Sequence, residues 1–192
     1  MKTTLFPNFH HVKRGKQFNI QNSMKPLPPP DSHHLSATQG WLGLGNWKEA
    51  VEEFKKLSPE SRAHPDCMET ARELFIQAGR WETAATIAGE IVKLRPEEPG
   101  SWIALAYATR RKQGGGLAAA REILIRAQNL FPKEPVIAYN LACYECQLGN
   151  QKAALDWLGK AFAAGSARKI RSMALEDRDL EPLWPQIRLL GY

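Results

Sequence analysis

Cys143 and Cys146 stand three residues apart as Cys-x2-Cys, a spacing by which thiolates hold zinc or exchange disulfides. Zinc asks for four ligands, and no second cysteine pair or histidine pair lies at metal spacing in the sequence. The two thiols fall inside YNLACYECQLGN, a helix-like run that places them one turn apart on one face, away from a helix N-terminus where a thiolate is stabilised. They read as small residues lining a helix. Cys67 is the third cysteine. Three thiols cannot all pair and form no disulfide framework, so the expected setting is reducing and cytoplasmic.

Gly40, Gly43 and Gly45 precede a helical pattern in GWLGLGNWKEAVEEF, and glycine-rich loops at helix N-termini can cradle phosphate. A Walker loop ends in Gly-Lys-Ser/Thr, and a dinucleotide loop follows a strand. Here Asn46 and Trp47 follow Gly45, and the preceding residues are helical in pattern. His10–His11 and His33–His34 are adjacent pairs whose members point about 100° apart on a helix, so neither pair makes a ligand set. Glu52–Glu53 and Glu97–Glu98 read as solvated faces, and no Ser/His/Asp set can be named. The sequence is expected to hold no catalytic, cofactor or metal site.

The elements that position these residues are helical. Of 192 residues, 43% are hydrophobic and 24% charged, a globular composition, and no run of 18 apolar residues suggests a membrane span. The charge of +6 is uneven. Residues 1–30 hold Lys2, Lys13, Arg14, Lys16 and Lys25 without an acid, while the remainder carries 21 basic and 20 acidic residues. The pI of 9.3 is therefore mostly a property of residues 1–30, and specific nucleic-acid binding by the body is not indicated. Residues 1–30, ending in MKPLPPP, lack a secretory apolar core and a sustained period, and are expected to be a disordered basic, proline-rich tail. Met24 marks where a shorter chain could begin.

From about Ser32 apolar residues recur at three- and four-residue spacing, and one phrase repeats: LGNWKEAVEEF, AGRWETAATIA, GGGLAAAREIL, LGNQKAALDWL. Its markers are Gly45/Ala50, Gly79/Ala84, Gly115/Ala120 and Gly149/Ala154, spaced by 34, 36 and 34 residues. Each glycine ends a first helix in the left-handed conformation. Each alanine lets a second helix pack closely, followed seven residues later by Leu57, Ile91, Ala127 or Ala161 on the same inner face. Pro96 and Pro132 stop second helices, with Pro59 doing so early in the first unit. An all-α fold of helical hairpins follows, with units of about 31–64, 65–98, 99–134 and 135–166. Residues 167–192 break the period. A solenoid end needs a cover, and Met173, Leu175, Leu180, Leu183, Trp184, Ile187 and Leu190 are placed to supply it.

These units resemble the tetratricopeptide repeat. Trp102, Leu105 and Ala106 match its Trp-x2-Leu-Gly/Ala opening; Tyr139, Asn140, Leu141 and Ala142 are a common variant; Trp47 and Trp81 supply the aromatic after the turn. The departures are His34 and Ala37 in the first unit, Arg72 in the second, and a two-residue insertion around 114–116 that is expected to loosen its turn. The resemblance implies a right-handed α-solenoid of about four hairpins with a C-terminal capping segment. It also implies a groove lined by first helices, where a protein partner's extended or helical segment binds. Carried over by helical spacing, the groove residues are Leu35, Gln39 and Leu42; Glu69, Glu73, Ile76 and Gln77; Ile103, Tyr107, Arg110 and Arg111; and Tyr139, Cys143, Cys146 and Gln147. The clamp that some family members use on chaperone C-termini is matched only by Asn140. The expected function is a non-catalytic protein-interaction scaffold. The alternative is an RNA- or membrane-surface-associated factor held by its basic tail, and a third expectation is self-association through the Trp184 segment.

Overall fold

A computed structural model describes residues 25–189, and every regular element among them is helical. The expected disorder of residues 1–24 and the capping role of Leu190 lie outside the described residues. The chain forms two compact units, divided between Leu94 and Arg95.

The first unit holds two hairpins: α1 (Asp31–Gly43) with α2 (Trp47–Phe54), and α3 (Pro65–Gln77) with α4 (Trp81–Leu94). A 3₁₀ turn, Ser61–Ala63, joins the hairpins. The marker alanines Ala50 and Ala84 are fully buried, and Leu57 and Ile91 are nearly so, beside Phe54, Leu74 and Ile87. Arg72 does not enter the core; it stays half-buried and pairs with Glu69 at 3.0 Å. His34, at the place of a large aromatic, meets Glu53 at 2.7 Å. Residues 25–30 are tied at both ends: the His64 ring Nε2 lies 3.1 Å from the Lys25 carbonyl, and the Ser32 N–H donates to Pro28.

The second unit holds α5 (Pro99–Arg111) with α6 (Leu117–Leu130), then α7 (Pro135–Gln147) with α8 (Gln151–Ala164). It ends in α9 (Ala167–Ala174), a 3₁₀ segment (Arg178–Leu183) and α10 (Trp184–Leu189). Its core joins Ala120, Leu124, Ala127, Ala154, Leu158 and Ala161 to Leu180, Leu183 and Ile187 of the C-terminal segment. Met173, expected in that cover, is 45% exposed, because it lies to one side of the stripe of α9 that buries Ile170 and Ala174.

Proline opens α3, α5 and α7 at the first helical turn, where its missing N–H has no intrahelical partner to lose. Pro65, Pro99 and Pro135 thus repeat as helix starts, a second periodic signal beside the glycines. The turns after α1, α3 and α7 share one geometry. Gly45, Gly79 and Gly149 take φ of 71°, 67° and 84°. Each glycine N–H donates three residues back, and the next N–H donates five back, to Trp41, Phe75 and Glu145 respectively. This double closure satisfies the helix's last carbonyls.

The turn after α5 departs from that geometry. The left-handed residues there are Gly114 (φ 67°) and Gly116 (φ 103°), not the in-register Gly115. The insertion is nevertheless closed by hydrogen bonds, Gly115 N–H to Lys112 and Gly116 N–H to Thr109. The two extra residues build a different turn.

Candidate functional site

In each unit the first helices present a face, α1 and α3 in one, α5 and α7 in the other. The α1/α3 face is an open cleft of about 410 Å³ lined by Gln39, Leu42, Gly43, Glu69, Thr70, Glu73 and Gln77. Its helices are bridged by amides: Gln39 Nε2 donates to Thr70 Oγ1 at 3.0 Å, and Gln77 Nε2 donates to the Leu42 carbonyl at 3.2 Å and to Glu73 at 3.1 Å. Leu42 forms buried floor and Leu35 lies in the core, so neither of these expected groove residues is an outward contact. Apolar side chains on the inner stripe of a helix go to the core before they go to a ligand. Ile76 is half-buried. Asp66, Glu69 and Glu73 follow one another at i, i+3 and i+7, on one side of α3, with Arg72 alone offsetting Glu69.

The α5/α7 face is filled by the chain itself. The C-terminal segment covers the last hairpin as expected, packing on α8 and also lying along α7. Tyr139 Oη donates to Asp177 Oδ2 at 2.9 Å, and Gln147 Nε2 donates to the Asp179 carbonyl at 3.0 Å. Arg110 Nη1 meets Asp179 Oδ2 at 2.6 Å, and its guanidinium stands 5.3 Å from the centre of the Tyr144 ring. Leu180, Leu183 and Ile187 are fully buried behind these contacts. Of the groove residues expected in this unit, Arg110, Tyr139, Cys143, Cys146 and Gln147 are therefore engaged with or beneath that segment, and Ile103 packs against the core. Tyr107 (40% exposed) and Arg111, whose guanidinium lies 3.6 Å from the Tyr107 ring centre, stay outward.

The electrostatics follow from this burial. Desolvation raises the Tyr139 and Cys143 pKa values, with Asp177 adding to both. The Asp179 hydrogen bond raises that of Arg110. Burial also lifts the Cys146 thiol, and pushes Cys67 up to about 12. All three cysteines are free and buried, so thiolate chemistry is suppressed at each. Among the described residues no three His, Cys, Asp or Glu side chains converge as a metal site, and no helix is long and apolar enough to cross a membrane.

Two buried carboxylates escaped sequence reasoning. Glu145, only 1% exposed, pairs with Arg121 Nε and accepts from Asn150 Nδ2. Asp31, at 8%, accepts from the Ser58 N–H and from the Ser58 and Ser61 hydroxyls. Asn150 recurs with Asn46 after the turn glycine, a signal that could have drawn attention to the first.

No protein-family model and no curated protein sequence matches the chain. Among solved structures it resembles a thermophilic tetratricopeptide-repeat protein of Thermus thermophilus, at 19% identity and a TM-score of 0.59, over 83% of this chain and 100% of that one. The chain thus has a tetratricopeptide-repeat fold, an α-solenoid of helical hairpins with a C-terminal capping segment.

Proposed function

We propose that this tetratricopeptide-repeat fold works as a non-catalytic scaffold, taking a peptide or helical segment of a partner protein on its α1/α3 face. The observation that carries the reading is the contrast between the two first-helix faces. One is an open, polar-walled cleft with Gln39, Glu69, Glu73 and Gln77 at its surface. The other is already filled by residues 177–183. A short segment fits such a cleft through a few side-chain contacts and main-chain hydrogen bonds to amide side chains. Tyr107 and Arg111 are the outward groove candidates of the second unit.

Affinity capture from native cells tests the reading, with Glu73→Lys and Gln39→Ala compared against the unaltered chain. Both positions leave the core untouched, so circular dichroism should not change. The expected result is at least a tenfold loss of the main captured protein for Glu73→Lys. Equal capture by the folded variants would count against the α1/α3 face.

A further inference from the structure

We propose that the α1/α3 cleft is also the docking site of the chain's own basic segment, Lys13-Arg14-Gly15-Lys16, which thereby competes with a partner. This rests on the reading of that face as the binding face. The other first-helix face supplies the pattern. It is covered from within by residues 177–183, which bear Asp177, Asp179 and Glu181 beside Arg178; Arg110 holds Asp179 there and Tyr139 donates to Asp177. The α1/α3 cleft has the opposite sign: Glu69 and Glu73 line it, with Arg72 paired to Glu69 and Asp66 one turn earlier on α3 beside His64. The remaining terminal segment also has the opposite sign: residues 1–24 hold Lys2, Lys13, Arg14 and Lys16 and no acid. Residues 13–16 are thus opposite in charge to the carboxylates that line the α1/α3 cleft.

The tether reaches. Lys25 is fixed by its carbonyl to the ring of His64, immediately before α3. Lys16 lies nine Cα steps from Lys25, an extended reach of roughly 30 Å, whereas Glu73 lies about 14 Å along the helix from His64. A short tether of this kind gives an effective concentration in the millimolar range, so a weak, charge-driven contact suffices to occupy the cleft. A partner segment would then have to displace residues 13–16, and raised ionic strength would favour that exchange.

Zero-length carbodiimide cross-linking of the dilute full chain, read by mass spectrometry, tests this. The expected products join Lys13 or Lys16 to Glu69 or Glu73 within one molecule, and fall at least fivefold between 50 mM and 500 mM salt. Lys13→Glu/Arg14→Glu/Lys16→Glu should increase partner capture while leaving the helical content unchanged. The proposal is overturned if those cross-links are absent, if isotope mixing shows them only between molecules, if they are no more frequent than links to Glu122 or Glu176 of the second unit, or if the triple variant captures partner as the unaltered chain does. Any of these results leaves the Glu73→Lys capture test intact, so failure of docking and failure of the binding face are told apart.

Discussion

Asp31 shows how a charged residue at a helix start can act as structure. Its carboxylate gathers the Ser58 N–H and the Ser58 and Ser61 hydroxyls, tying α1 to the loop that follows α2. These bonds favour the ionised form, led by the serine hydroxyls, and hold its pKa below the ordinary 3.8. A carboxylate lowered on folding stabilises the protein above its unfolded value, and that stabilisation disappears as the pH falls through the lowered folded value. Asp31→Ala should cost about 2 kcal/mol at pH 7, and the difference from the unaltered chain should shrink as the pH falls through its lowered folded value, as read by denaturant unfolding at each pH. Little of this was legible in the sequence, because serines 27 and 30 residues away give no local signal. The marker alanines were legible, since close helix packing imposes small size at a fixed offset from the turn. The cysteines were legible as lining residues, but what covers them was not.

At the scale of elements, the turns and the C-terminal segment divide what periodicity can and cannot say. Glycine at a helix end is a local necessity, so three of the four turns follow from sequence with their geometry. The fourth does not, because two extra residues change which glycines need positive φ. At Gly115 an added Cβ would meet the Thr109 carbonyl at 1.9 Å, and backbone cannot swing away as a side-chain tip can. Gly115→Ala should destabilise the second unit by about 2 kcal/mol, read as a lowered urea midpoint, whereas Gly100→Ala, with nothing within 4 Å of its Cβ, should not. The C-terminal segment was legible as a cover of the last hairpin through Leu180, Leu183 and Ile187, yet its polar contacts were not. Solenoid logic points a cap at the last hairpin, and does not say that Asp177 and Asp179 also meet Tyr139, Gln147 and Arg110 on the α5/α7 face. Leu183→Ala should cost about 3 kcal/mol, with the loss of structure appearing in hydrogen exchange of residues 95–189.

For the molecule as a whole, the fold was readable because a repeated unit states the same packing demands four times. The site was only half readable, because helical spacing names the residues that share a face and does not say whether another part of the chain lies over them. Fifteen expected groove residues reduce to an outward set led by Gln39, Glu69, Glu73 and Gln77 in one unit and Tyr107 and Arg111 in the other. The polarity of the α1/α3 face and the internal occupation of its counterpart support partner recognition in the first unit. Hydrogen exchange of the full chain, with and without the purified captured partner, tests that claim most directly. The account predicts slowed exchange in residues 39–43 and 69–77 on binding and no new protection in residues 139–147. Protection confined to 139–147, or to the second helices alone, would contradict it.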